Sequence, residues 1–140
     1  MDFSYSCLIY RYLILFFIIF FSYNVAFRLI GFQEFKVEMG NQVFSYRLNI
    51  GLAYLILAYQ GLCCVLLLYT KTAKVGFGCI CIFLFLVIIY ISLVLGKFFG
   101  NVPCSCAGLS RNLSWNQHLL ITILLFLISV FCFYYSNKRH

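Results

Sequence analysis

Carboxylates are nearly missing from this chain: Asp2, Glu34 and Glu38 are the whole supply in 140 residues. None of them falls inside a long apolar run. No Ser/His/Asp constellation, P-loop or dinucleotide-type glycine pattern stands beside them, so hydrolase and nucleotide chemistry are set aside. Proline occurs once, at Pro103. With no strong internal repeat and no low-complexity linker, the chain reads as one domain over residues 1–140. Charge is scarce as well, at 9% of residues, and that is too little polar surface to cover a soluble globule of this size.

What is abundant is apolar: 65% of residues are hydrophobic and 21% aromatic, so lipid is the solvent this composition suits. A bilayer core is about 30 Å thick and a helix rises about 1.5 Å per residue, which makes each charge-free run of roughly 20 residues a candidate span. Four such runs predict helices at about residues 8–29, 48–70, 75–96 and 117–135. Backbone groups in hydrocarbon need internal partners, and these Leu/Ile/Phe runs lack the period-2 alternation of barrel strands. The expected fold class is therefore all-α, an integral membrane four-helix bundle. A secretory signal is the competing reading of the N-terminus, but the apolar run exceeds an ordinary h-region, and Ser22-Tyr23-Asn24 offers no small-x-small cleavage site.

With four spans, both termini and the loop between the second and third helices share one side, which holds Arg11, Lys71, Lys74, Lys138 and Arg139. The other side holds Arg28, Lys36, Arg47, Lys97 and Arg111, so the raw count of basic residues ties. The positive-inside rule weighs short loops most heavily, and Lys71-Thr72-Ala73-Lys74 is very short, which places the termini in the cytoplasm. The expected location is a membrane whose outer side is periplasm-like, with membrane lipid as the surrounding partner. The net charge of +7 is scattered in ones and twos rather than gathered into a stripe, so a nucleic-acid partner is not expected.

The eight cysteines sort by setting. Cys7, Cys63, Cys64 and Cys132 lie in or beside apolar runs, where a free cysteine packs as a small hydrophobe. Cys79 and Cys81 have C-x-C spacing inside a helix, and residues two apart on a helix point about 200° apart, so no disulfide joins them. Cys104 and Cys106 share that spacing but lie in a segment punctuated by Pro103 and Gly108, where a turn can bring the sulfurs together. A disulfide closing so short a ring departs from relaxed geometry and suits exchange. On the outer, periplasm-like side disulfides persist. The alternatives are a static staple or two inert thiols. His118, at the start of the last helix, is a candidate to stabilise a thiolate on Cys104 or Cys106, or else a polar residue at headgroup level. Cys104, Cys106 and His118 match no standard zinc spacing, so no metal is expected.

Trp115 marks the interface and Ser114 is a candidate N-cap for the last helix. Arg28 closes the first helix, where snorkelling is the default and an interior position the alternative, and it can meet Glu34 across Gly31. Gln60 lies mid-span and should hydrogen-bond to another helix, while Gly51, Ala53, Ala58 and Gly61 can admit close packing.

Val102-Pro103-Cys104-Ser105-Cys106-Ala107-Gly108, followed by Leu113-Ser114-Trp115-Asn116-Gln117-His118 and a final apolar helix, resembles the MauE branch of the DoxX-like membrane proteins. The segment from Phe27 to Val37 is similar to the family region after helix one. The chain departs from the family pattern at Ala107, which stands for a glycine, at Leu57 and Gln60, where Pro and Glu are common, and at Ile121-Thr122, which replaces Phe-Asn. The resemblance implies a protein of methylamine utilisation that helps produce a disulfide-rich dehydrogenase subunit alongside a periplasmic thioredoxin-like partner. On that reading Cys104 and Cys106 are the redox pair. A non-enzymatic membrane scaffold with a structural cysteine pair is the alternative, and transport is disfavoured because the spans supply little polar pathway. No cofactor, client, oligomeric state or direction of exchange is named by the residues.

Overall fold

The computed structural model describes residues 2–40, 45–96 and 115–139. Five helices account for nearly all of these residues: α1 (Asp2–Ile30), α2 (Phe32–Gly40), α3 (Tyr46–Leu68), α4 (Ala73–Leu95) and α5 (Trp115–Arg139). There is no strand among the described residues. Four helices contain stretches long and apolar enough to cross a membrane, Tyr5–Ile30, Tyr46–Leu68, Ala73–Leu93 and Asn116–Lys138. The chain is a multi-pass membrane protein with an all-α bundle, and its outer faces carry the residues lipid requires, among them Ile19, Leu55, Leu86 and Leu127.

Ring contacts give the direction of each helix. Near the start of α1, Tyr10 meets Phe77 of α4 at 5.9 Å and Tyr135 of α5 at 5.1 Å. About five turns later, Arg28 shares a cleft with Val87 and Thr122. Moving up α1 thus means moving up α4 and down α5, while Ser22 of α1 reaches Cys64 of α3 and Arg28 reaches Gln60, so α3 is antiparallel to α1. The helices alternate up and down around a ring in the order α1, α3, α4, α5. The α4–α5 pair packs most closely and the α1–α5 seam is the sparsest.

The interior is built from aromatics rather than from small residues. Phe17, Phe21 and Phe77 are fully or almost fully buried, and Phe17 meets Phe77 edge to face at 5.7 Å across the bundle. Such pairs add about 0.5–1.5 kcal/mol beyond their area in water. Here they supply van der Waals contact where lipid removes the hydrophobic drive between helices.

Two local features shape the ends. At Gly31 the helical bonding pattern continues, with Gly31 N donating to Phe27 O at 3.1 Å and Phe35 N to Gly31 O at 3.0 Å. The short helix α2 therefore extends from α1 through a one-residue irregularity, and its apolar face, Phe32 and Phe35, packs on Ala53, Leu57 and Leu52 of α3. This fifth helix is absent from the four-span expectation because it is too short to cross and too mixed in polarity to stand out. At the other end residues 69–72 connect α3 to α4, and Thr72 closes the turn by donating from its Oγ1 to Leu66 O at 2.8 Å and from its backbone N to Tyr69 O at 3.1 Å.

The glycine that admits close approach is Gly76 of α4. A Cβ there would stand 3.2 Å from both Leu66 Cβ and Leu67 Cδ2. Of the small residues expected to serve this purpose, Ala53 alone is buried, whereas Gly51 and Gly61 face open space and Ala58 is exposed. Small size permits close packing, but the helix's rotation decides which small residues meet a neighbour. Gly76→Leu should therefore cost about 1–3 kcal/mol through overpacking. Gly61→Ala should be neutral or mildly stabilising. Thermal unfolding of the two variants in detergent measures the difference, and equal melting temperatures would contradict the α3–α4 approach described here.

Candidate functional site

A set of polar side chains is buried on the inner faces of the bundle, at a spacing that follows the helical repeat. On α5 the buried positions are His118, Thr122, Leu125, Ser129, Cys132 and Ser136, alternating steps of four and three, and four of the six are His, Thr or Ser. On α1 the inward stripe reaches Asn24 and Arg28, and on α3 it includes Asn49 and Gln60. On α5 the arrangement differs from that of a soluble helix, since the outward face is apolar and most of its polar residues within the span turn toward the interior.

These stripes meet at a small cleft, part of it open to the outside. Its polar lining is Asn24 and Arg28 of α1, Gln60 of α3 and Thr122 of α5, and its apolar walls include Phe20, Phe21 and Phe83. Arg28 does not snorkel. It is only 8% exposed, it donates from Nη1 to Gln60 Oε1 at 3.5 Å, and its guanidinium lies 5.1 Å from the centre of the Phe35 ring. The interior position prevails because α2 continues past Arg28 and covers the route to the interface with Phe35, while Gln60 offers an acceptor inside. Gln60 itself is 4% exposed, as its mid-span position predicts.

The neighbouring polar groups are partly committed to backbone. Asn24 donates from Nδ2 to Phe20 O at 2.9 Å, and Thr122 donates from Oγ1 to His118 O at 2.6 Å. Each of these bonds satisfies a hydroxyl or amide within its own helix, so the residue can sit inside at low cost. His118 is 1% exposed and stands one turn beyond Thr122 toward the start of α5. It is thus buried within the bundle at the end where α5 begins.

Cys104 and Cys106 lie outside the described residues, as do Pro103, Gly108 and Ser114. The segment that carries the two cysteines leaves α4 after Leu95 and enters α5 at Trp115. Both of those helix ends belong to the half of the bundle that holds Arg28 and His118. The other cysteines whose state is described, Cys7, Cys63, Cys64, Cys79, Cys81 and Cys132, are free thiols. Cys63 and Cys132 are core residues. Cys81 turns toward α5, its Sγ 3.3 Å from Ser129 Oγ, and helical spacing points Cys79 away from it; Tyr59 of α3 donates to the backbone O of Cys79 at 2.7 Å. Among the described residues no group of three His, Cys, Asp or Glu could hold a metal ion.

The family model for methylamine utilisation protein MauE matches residues 6–135. This chain belongs to the MauE family. The match runs from the first turns of α1 to the last turns of α5, so the polar cleft and the cysteine-bearing segment both lie within the MauE region. Comparisons with curated proteins and with solved structures return no match.

Reasoning from sequence singles out His118, Gln60 and Arg28 but passes over Asn24 and Thr122 as members of one site. The signal was present in the steps of four from Asn24 to Arg28 and from His118 to Thr122. The Arg28–Gln60 contact is open to a double-mutant cycle. Gln60→Leu removes one hydrogen-bond acceptor from a buried guanidinium and should cost about 1–3 kcal/mol. Arg28→Leu combined with Gln60→Leu should cost less than the sum of the single changes, since an apolar pair leaves no charge to satisfy. Unfolding midpoints of the three variants check this, and strict additivity would mean the two side chains do not interact.

Proposed function

We propose that this MauE-family protein performs thiol–disulfide exchange through Cys104 and Cys106, supporting maturation of disulfide-containing proteins on the outer face of a bacterial inner membrane. The observation that carries the reading is the sorting of the cysteines. The six described thiols are free and sit in spanning helices, whereas Cys104 and Cys106 belong to the segment between α4 and α5. On this reading the termini and the Lys71–Lys74 turn are cytoplasmic, the cysteine segment is periplasmic, and the partner is a thioredoxin-like protein. The family's link to methylamine utilisation fits a client with several disulfides.

The chemistry is a two-step exchange. A partner thiolate attacks one sulfur of the Cys104–Cys106 disulfide, the S–S bond breaks, and a mixed disulfide forms while the released thiolate takes up a proton. The partner's second thiol, losing its proton, then attacks the mixed disulfide. The partner leaves oxidised and both electrons and both protons remain on Cys104 and Cys106. His118, at the start of α5, is assigned the role of favouring the thiolate form of the released sulfur.

Trapping in intact cells tests the proposal. Cys104→Ser and Cys106→Ser should each abolish exchange, and one of them should accumulate a mixed disulfide with the partner that a reductant releases. Unaltered client maturation in the double variant would instead support a scaffold whose cysteine pair is structural. A cysteine placed at Lys71 in a background lacking reactive thiols should resist a membrane-impermeant maleimide, whereas Cys104 in the reduced protein should react. The reverse labelling pattern would invert the topology.

A further inference from the structure

The two ends of the bundle hold their cations differently. Tyr10 of α1 meets Phe77 of α4 and Tyr135 of α5, and Arg11, Lys74 and Lys138 each lie within about one turn of those rings along their own helices. Lys71, in the turn before α4, belongs to the same end. Arg11, Lys71 and Lys138 are exposed and Lys74 is half-buried. At the opposite end Arg28 is buried and Lys36 lies 5.4 Å from the centre of the Phe32 ring, and α2 adds Glu34 and Glu38. Asp2 is thus the one carboxylate toward the Arg11 end, and it precedes Arg11 by about 13 Å of helix.

Helical spacing distributes these cations around the ring of helices. Lys138 shares a face of α5 with Tyr135, which meets Tyr10 of α1. Lys74 shares a face of α4 with Gly78, where a Cβ would stand 3.4 Å from the Phe133 ring of α5. Arg11 lies about three turns before Ser22, on the same face of α1, and Ser22 meets Cys64 of α3. Lys71 stands in the turn from α3 to α4, so each seam of the bundle is flanked by one cation. Local structure does not account for Lys74, because a cation in the first turn of a helix faces its positive end. Tyr12, Tyr69 and Tyr134 are all exposed near the same level, as the aromatic girdle at headgroup depth requires.

A ring of cations at that depth attracts negative charge in the plane of the headgroups. Phosphatidylcholine carries its own cation beside each phosphate, whereas an anionic phospholipid brings net charge. A soluble acidic partner would meet a patch on the bundle end, but these cations are spread seam by seam around its circumference, where lipid lies. We propose that Arg11, Lys71, Lys74 and Lys138 form a collar that selects anionic phospholipids, their phosphates against the four cations and their acyl chains along the outer faces of the helices. The collar rests on the fold alone and is independent of the cysteine exchange.

Electron spin resonance of the full-length protein in phosphatidylcholine bilayers, with chain-labelled phosphatidylglycerol or phosphatidylcholine as the probe, tests it. At low salt the motion-restricted lipid should favour phosphatidylglycerol about fivefold, the effect of roughly one cation near the surface. Arg11→Gln, Lys71→Gln, Lys74→Gln and Lys138→Gln together should remove most of that preference, and Lys71→Gln with Lys74→Gln should lower it measurably, which decides the matter if the quadruple variant fails to insert. Lys36→Gln with Arg47→Gln, at the opposite end, should leave it nearly unchanged. Replacing chloride by inorganic phosphate at constant ionic strength should not alter it, whereas specific competition would assign the cations to free phosphate and overturn the lipid assignment. Equal restriction of the two probes by the unaltered protein, or the same loss from substitutions at either end, also overturns it.

Discussion

The structure depends on one constraint: inside lipid, a polar group has no water to fall back on, so each must find its partner within the protein. Arg28 is the severest case. Its charge is held by the Gln60 oxygen on one side and the Phe35 ring on the other, and both contacts require α1, α2 and α3 to keep a particular rotation and depth. The same constraint rotates α5 so that His118, Thr122 and Ser129 face inward, with the hydroxyls bonding to carbonyls of their own helix. Polar residues here do the work of orientation that the hydrophobic effect does in water.

Given that orientation, the bundle closes unevenly. Gly76 lets α3 and α4 approach at their turn, and Cys81, Ser129 and Cys132 provide small side chains where α4 meets α5. Large rings then span the remaining distances, Phe17 to Phe77 across the centre and Tyr10 to Tyr135 between α1 and α5. The looser α1–α5 seam and the polar cleft beside it are two results of one arrangement. Bulk is placed on α1 because α1 has no small-residue face with which to approach α5.

Much of this is legible in the residues, for identifiable reasons. The four spans follow from length and composition, because the bilayer sets a length scale any sequence must meet. The opposed directions of Cys79 and Cys81 follow from helical geometry alone. Gln60 facing inward follows from the cost of an amide in hydrocarbon. Arg28 misleads because a long side chain near a helix end can reach water in most proteins, and only the extension of the chain into α2 removes that route. The burial of His118 is not legible for a related reason: a position near the start of a helix describes depth along the axis and says nothing about which way the side chain points. The small residues of α3 illustrate the point again, with Ala53 buried and Gly51 and Gly61 facing open space.

The sequence by itself thus determines that this is a multi-pass helical membrane protein, that its charges cluster near the ends of its spans, and that one cysteine pair is set apart from the six others by the Pro103 and Gly108 that flank it. Those are properties of composition and local spacing, and hydrocarbon thickness turns them directly into structure. Only the tertiary structure decides that Asn24, Arg28, Gln60 and Thr122 form one cleft. They come from three helices separated by long stretches of chain, and their meeting depends on the depth and rotation of each helix. Both are set by packing between helices, and no single helix carries that information in its own residues.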